Sequence, residues 1–433
     1  MFTSYVITIS LMIFTCVKLI KRHMLREVII GLCLTFYFVP DFMIFDYWKI
    51  HISFIFIFLF SYAVPIILAV DKNRNKNGFL FKIFKDQYKY YIFYILILLS
   101  ALITLIFNRE YVAYFYTKIG GFLYTVVLFF VIVSIYRKEI ITDIDAYCDI
   151  IILAVIAYMF KNFYMTGIQN FRIFYENNFM DLKNMIFASR MLGLGIFLSF
   201  FSYLRTKKII YIVSMLAIFT QMVMFESRGP LIALAVTVIA VLALYLIKKK
   251  KQRFKIRSLF VIMSIIVVIL FIIRYLFNGG FLDRLIYKYN YFVMNRREAR
   301  NYLYSDCLDI MFENFPIGVG FGNTYKVLKE FGSSVRYYYP HNLILELFME
   351  DGLLIGFVFF CILLSNFRFC IKCEIDRNSL LFISIYLFSF INSLLSGDIV
   401  GNSWVFIIGS FLSCMEGYHV NNKYTEMKEN SME

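Results

Sequence analysis

The sequence predicts an all-α polytopic membrane protein with about twelve or thirteen transmembrane helices. One long external loop, containing a short amphipathic helix, is expected between them. Three observations predict this class. Of 433 residues, 61% are hydrophobic and 17% charged, with a mean hydropathy of +0.73, whereas soluble domains hold about 45–50% apolar and about 25% charged residues. Apolar runs long enough to cross about 30 Å of hydrocarbon recur from one end of the chain to the other. Basic residues cluster in alternate connections between those runs.

The runs lie near 2–20, 25–45, 47–70, 88–107, 119–136, 144–165, 185–204, 209–225, 229–247, 258–278, 342–364, 379–397 and 402–417. Pro40 and Pro65 interrupt the second and third. The first run, Phe2 to Ile20, has no small-residue cleavage site and reads as a retained helix, not a signal peptide. Basic clusters follow at Lys18, Lys21, Arg22 and Arg26, and at Lys72, Arg74, Lys76, Lys82, Lys85 and Lys89. Others are Arg137–Lys138, Arg205 with Lys207 and Lys208, KKKKQRFKIR (248–257), and Arg368, Lys372 and Arg377. Threaded alternately, all fall on one side, which the positive-inside rule makes cytoplasmic. The N-terminus is then outside and the C-terminus inside. This divides the chain into a helix bundle over 1–278, an external loop over 279–341, further transmembrane helices over 342–417 and a cytoplasmic tail over 418–433.

The net charge of +15 is therefore mostly a topology signal. Spread over separated loops beside membrane helices, it does not suit nucleic acid, and the run at 248–251 faces anionic headgroups instead. Of eight cysteines only Cys307 lies in a sizeable external loop, so no disulfide framework is implied. Cys370 and Cys373 (CIKC) have no histidine nearby to complete a zinc site. No Asp/Glu/His cluster asks for a metal, and no cofactor is expected.

The external loop carries Arg284, Lys288, Arg296, Arg297, Arg300, Lys326, Lys329 and Arg336, against the positive-inside tendency. Its stretch NRREARNYLYSDCLDIMFENF (295–315) sets Leu303, Cys307, Ile310, Met311 and Phe315 on one helical face. Such a helix lies along the membrane surface or packs on the bundle mouth, with Arg296, Arg297 and Arg300 in its first turns. Next, PIGVGFGN (316–323) alternates Gly318, Gly320 and Gly322, a spacing that permits tight turns and close approach of backbone N–H groups to an anion. The following helix opens in YYYPHNLILELFMEDGLLIG (337–356), with Pro340, His341 and Asn342 at its mouth and Glu346, Glu350 and Asp351 in its first turns. Lipid alone would require none of these polar residues. Asp351 with Gly352 reads as a local helix break. Two further arginines border apolar segments. Arg190, in KNMIFASRMLGLG, either snorkels to the interface or is held for an anion. Arg228, in FESRGPLIALAV, has the same two readings, and its hairpin is tight enough to fix the guanidinium at the outer rim. An arginine at the membrane centre costs about 2.5–3.5 kcal/mol on insertion scales.

Together, ESRGPLIALAV (226–236), the stretch from Arg300 to PIGVGFGN, and PHNLILELFMEDGLLIGFVFF (340–360) resemble the O-antigen polymerase and O-antigen ligase superfamily. There a Ser-Arg-Gly turn opens one helix, and a long external loop carries an arginine-bearing helix followed by a Pro-x-Gly-x-Gly stretch. A His-Asn pair then opens a helix with a Gly-x-x-x-Gly element, here Gly352 and Gly356. The resemblance covers 226–360 well and 185–204 loosely. It implies glycan transfer from undecaprenyl pyrophosphate at the outer face of the bacterial cytoplasmic membrane. A polymerase passes the growing chain onto a lipid-linked repeat unit, building O-antigen or capsule; a ligase passes finished polymer onto lipid A core or another acceptor. By the same resemblance Arg228 holds pyrophosphate, His341 assists the acceptor hydroxyl, and the loop 279–341 bears active-site elements. The implied partners are undecaprenyl-pyrophosphate-linked glycans, membrane lipids, and the chain-length regulator and flippase of the same pathway.

The residue inventory agrees with this chemistry. A pyrophosphate leaves as a stable anion, so the transfer needs positive charge there and at most one base near the attacking hydroxyl. Arginine supplies bidentate phosphate contacts and stays charged; histidine accepts a proton near neutral pH. Single displacement inverts the anomeric centre without a metal. Arg190, Arg296, Arg300, Glu346, Tyr339, Asn342 and Gly320 are the expected substrate-binding residues. Tyr339 would stack on a pyranose face, and Glu346 and Glu350 serve either the loop arginines or an acceptor sugar. The other reading of His341 is a helix-start residue bonded to nearby backbone. A flippase would instead favour inverted repeats and broken polar helices at mid-membrane, and a monophosphate-sugar transferase would use an early acidic pair such as Asp41 and Asp46.

Overall fold

The structure, a computed structural model, describes residues 2–21, 30–32, 34–35, 38, 79–107, 113–166, 182–225, 227–248, 302–331, 339–373, 376–413 and 415. The expected spans 47–70 and 258–278, most of 25–45, and Arg296 and Arg300 lie outside these residues. Among the described residues the regular elements are helices and there is no strand. In chain order they are α1 (Phe2–Lys21), α2 (Phe79–Phe107) and α3, in which Ala113–Gly121 continues through a π-helical stretch, Phe122–Leu128, into Phe129–Thr142. Then come α4 (Ile144–Thr166), α5 (Leu182–Thr206), α6 (Ile209–Met224), α7 (Arg228–Lys248), α8 (302–313), α9 (Thr324–Glu330), α10 (Leu343–Lys372), α11 (Arg377–Leu395) and α12 (Ser403–Ser413).

Gln87–Phe107, Tyr114–Arg137, Ile186–Thr206, Leu343–Lys372 and Arg377–Leu395 are long and apolar enough to cross a membrane, with α1, α6, α7 and α12 as shorter apolar companions. The chain is an all-α polytopic membrane protein. In hydrocarbon every backbone group must be satisfied within its own segment, which leaves helices as the solution for apolar runs of this length. Helix boundaries follow local chemistry. Asn342 caps α10, its side-chain oxygen accepting from the backbone N–H of Ile344 (3.0 Å) and Leu345 (3.2 Å), and Asp376 caps α11 by accepting from Ser379 N–H at 2.8 Å. α2 begins earlier than expected because it continues across a kink at Gln87, where the buried Ser134 hydroxyl donates to the side-chain amide oxygen of Gln87. α10 also outruns its expected end at 364 and carries Arg368 and Lys372 in its last turns, where cations meet the helix dipole favourably.

The core is aromatic and shared by α2, α3, α10 and α12. Phe93 stacks on Phe359 (5.6 Å between centroids) and on Phe406 (5.5 Å), while Tyr94 meets Phe130 edge-on at 4.9 Å. The outward faces are apolar as well, with Leu99, Leu102, Ile103 and Ile106 of α2 exposed, as lipid requires.

The two ends of the bundle differ in chemistry. At one end Arg205 pairs with Asp145 (3.1 Å) and Asp149 (3.5 Å), and Arg377 with Asp145 (2.8 Å). There Lys248 also donates to the carbonyls of Cys370 (3.0 Å) and Cys373 (2.5 Å). Exposed pairs of this kind add at most about 1 kcal/mol each. Their information is positional, because members of three separate basic clusters converge. The opposite end, called the mouth here, holds α8, α9 and the start of α10.

Candidate functional site at the bundle mouth

The site is built on the first turns of α10. His341 precedes the cap with a left-handed backbone (φ +60°) and is half-buried, a conformation that costs a non-glycine residue about 1–3 kcal/mol and is typical of strained functional positions. The Tyr339 ring meets the imidazole edge-on, with centroids 4.5 Å apart. Tyr339 is itself buried, and burial raises its phenol pKa, with Asp398 and Glu346 adding to the rise and Arg190 opposing it. A neutral tyrosine thus borders the imidazole ring. Its expected role as an open sugar-stacking face gives way to that contact, since only 7% of it is exposed.

One and two turns on, Glu346 and Glu350 point inward to Lys118 of α3. The Lys118 ammonium donates to Glu346 and, at 2.5 Å, to Glu350, and none of the three side chains exceeds 1% exposure. Glu350 also accepts from the Gly322 N–H (2.8 Å) and the Thr324 hydroxyl. Glu346 accepts from the Ile399 N–H at 3.3 Å, while its second oxygen is buried with no partner among the described residues. The ammonium lies 4.9 Å from the Phe321 ring centroid, a cation–π contact. Nearby, Asp398 accepts from the Tyr114 hydroxyl (2.7 Å) and the Gly401 N–H (2.8 Å), and Asp351 accepts from Ser100 (2.6 Å). Buried charges persist when paired and hydrogen-bonded. This network therefore ties α2, α3, the glycine turn, α10 and the loop 396–402 to one point. Among the described residues Lys118 holds Glu346, which is buried instead of lining an open acceptor site.

The glycine turn docks on α10 by backbone bonds. Val319 N–H donates to Met349 O (2.9 Å), Gly320 N–H to Glu350 O (2.8 Å), and Leu353 N–H to Pro316 O (2.8 Å). These bonds exist because α10 opens at Gly352 (φ +76°, ψ −172°), freeing the carbonyls just before it. A Cβ at Gly352 would lie 2.3 Å from Ile317 O, and one at Gly318 would lie 2.6 Å from Glu350 O. The expected approach of the Gly320 amide to an anion is corrected accordingly: the amides of Gly318, Gly320 and Gly322 all have internal acceptors.

Arg190 is another correction. It is buried, and it donates to the carbonyls of Gly401 (2.8 Å), Ser396 (2.8 Å) and Asn392 (3.4 Å). It clamps the C-terminal end of α11, where a cation is favoured, instead of snorkelling or facing a phosphate. Arg228 opens α7 as its motif suggests, and its side chain lies outside what is described. Its neighbour Gly229 abuts Leu395, a Cβ there lying 3.8 Å from the Leu395 Cβ, so position 228 belongs to the same mouth. Lys118, Tyr114, Thr324 and Asp398 are site residues that the sequence reading missed. The available signal was a lysine inside the apolar stretch AYFYTKIGGFLYTVVLFF (113–130), because an ionisable residue in a span calls for a named partner.

Residues 213–361 match the family model described as O-antigen ligase, roughly a third of the chain. No curated protein matches it. The matched stretch runs from α6 through the Ser-Arg-Gly turn, α8 and the glycine turn into α10, so it contains all three segments that carried the resemblance. Over these residues the chain is similar to the O-antigen polymerase and ligase superfamily, whose members are glycosyltransferase-like enzymes.

Proposed function

We propose that the chain polymerises undecaprenyl-pyrophosphate-linked oligosaccharide repeat units into surface polysaccharide, either O-antigen or capsule. The site would face the outside of the bacterial cytoplasmic membrane. The supporting observation is that the matched segments, far apart in sequence, gather at the end of the bundle opposite the paired basic residues. In this reading an acceptor sugar hydroxyl attacks the anomeric carbon with inversion. The bond to pyrophosphate breaks, His341 takes the hydroxyl proton, and undecaprenyl pyrophosphate departs as an anion against Arg228. Arg296 and Arg300 add positive charge to that leaving group. Asn342 fixes the start of α10, and the Lys118 network holds α10 against the glycine turn. A chain-length regulator and a flippase of the same pathway would act beside it.

The family description itself supports a second reading, a ligase transferring finished polymer to lipid A core. Purified chain in vesicles, given lipid-linked repeat units alone, separates the two. Products of two or more repeats on the lipid carrier support the polymerase. Transfer only when lipid A core is added supports the ligase, and movement of the lipid across the bilayer without new glycosidic bonds overturns both.

A further inference from the structure

α8 has three sectors, and only two are explained by the fold and by water. At about 100° per residue, Leu303, Cys307 and Ile310 share one sector, fully buried against Leu328 and Met349. Ser305, Asp309 and Glu313 are exposed on a second sector, as water allows. Between these lies a third sector with Leu308 and Phe312, which are 41% and 67% exposed. The ridge continues past the helix end into Phe315 and Ile317, 58% and 82% exposed. In water such a contiguous apolar ridge marks an interaction surface.

Its neighbour identifies the occupant. The bond from Leu353 N–H to Pro316 O fixes the Phe315–Ile317 bend beside Leu353. There the exposed apolar stripe of α10 begins, with Leu353, Leu354, Phe357, Phe360 and Leu364. From Leu353 to Phe367 the sequence has no charged residue, so this is the part of α10 that crosses hydrocarbon. The ridge of α8 is therefore continuous with a lipid-facing surface and meets it at its polar boundary. We infer that α8 and the Phe315–Ile317 bend are seated in the bilayer leaflet at the mouth. Leu308, Phe312, Phe315 and Ile317 rest against phospholipid acyl chains there, and Asp309 and Glu313 face water. An interfacial helix divides in this way into an apolar face and a polar face. The inference is independent of the reaction catalysed.

The test places p-benzoylphenylalanine, one position at a time, at Leu308, Asp309, Phe312, Glu313 and Ile317 of the full chain. Phe360 on the lipid face of α10 is the reference position. Each protein is reconstituted in phosphatidylethanolamine–phosphatidylglycerol vesicles, irradiated and analysed by mass spectrometry. Phospholipid adducts at Leu308, Phe312 and Ile317 should approach the yield at Phe360 and exceed those at Asp309 and Glu313 several-fold. Adducts to peptides of the same chain would mean that another segment covers the ridge, and crosslinked dimers would mean a second copy does. Lipid yields far below that at Phe360 on both sectors would mean that α8 stands clear of the membrane. Any of these three results overturns the inference.

Discussion

Among the described residues Lys118 is the cation paired with both Glu346 and Glu350, and its one charge neutralises only one of them. Removing one partner of a buried ion pair costs about 3–5 kcal/mol, because the remaining charge is left uncompensated. Lys118→Met should therefore lower thermal stability in detergent sharply, and adding Glu346→Gln and Glu350→Gln should recover much of the loss. An unchanged melting profile in the single variant would show that water reaches the carboxylates and that the network holds little. His341 makes a different prediction, conditional on the proposed reaction. Asn342 is the residue that caps α10, so replacing His341 leaves the cap intact. As the base, its loss should cut polymer formation about 10²–10⁴-fold in both His341→Ala and His341→Gln, with donor binding retained. Near-normal turnover of His341→Gln at matched membrane levels would remove the base and leave the arginines as an electrostatic site. The sequence made His341 and Asn342 conspicuous because helix-start chemistry is local. It left Arg190 ambiguous and Lys118 unnoticed because their partners, Ser396 and Gly401 for one and Glu346 and Glu350 for the other, lie far along the chain.

At the scale of elements, the glycine turn and the break in α10 form one device. The sequence showed both halves, alternating glycines at 318–322 and Asp351–Gly352 as an interruption, yet periodicity cannot say that two irregularities face one another. What joins them is that a helix opened at Gly352 frees carbonyls for a neighbouring segment, and the turn supplies N–H groups at that spacing. The φ and ψ of Gly352 belong to a region essentially reserved for glycine, and a side chain there costs about 1–3 kcal/mol. Gly352→Ala must also displace Ile317 O, which would sit 2.3 Å from the new methyl. The expected result is undocking of residues 316–323, read as faster protease cleavage there in mouth-exposed vesicles, while α10 itself stays inserted. Cleavage at the wild-type rate would mean that Glu350, through Gly322 and Thr324, suffices to hold the turn.

For the whole molecule, the sequence and the structure reach the same two-ended arrangement from different premises. The charge rule assigned Arg205, Lys248 and Arg377 to one side by counting spans, two of which fall outside the described residues. Packing brings these three to one end without any count, through Asp145, Asp149 and the carbonyls at the C-terminal end of α10. The span count itself rests on hydropathy, whereas which end is which rests on the positive-inside tendency. Sidedness can therefore be tested apart from the fold. Ser333→Cys, in the external loop, should react with a membrane-impermeant maleimide added to intact cells whose outer barrier is permeabilised. Gln252→Cys, in the basic run, should react only after the cytoplasmic membrane is opened. The native loop thiol does not confuse the readout. Cys307 is fully buried, and burial, with Asp306 and Glu350 adding, pushes its pKa up to about 12. At pH 8 its reactive thiolate is then on the order of one part in ten thousand. The reverse labelling pattern would leave the all-α bundle and its hub intact. It would turn the mouth toward the cytoplasm, away from the outward-facing lipid-linked donor on which the proposed transfer depends.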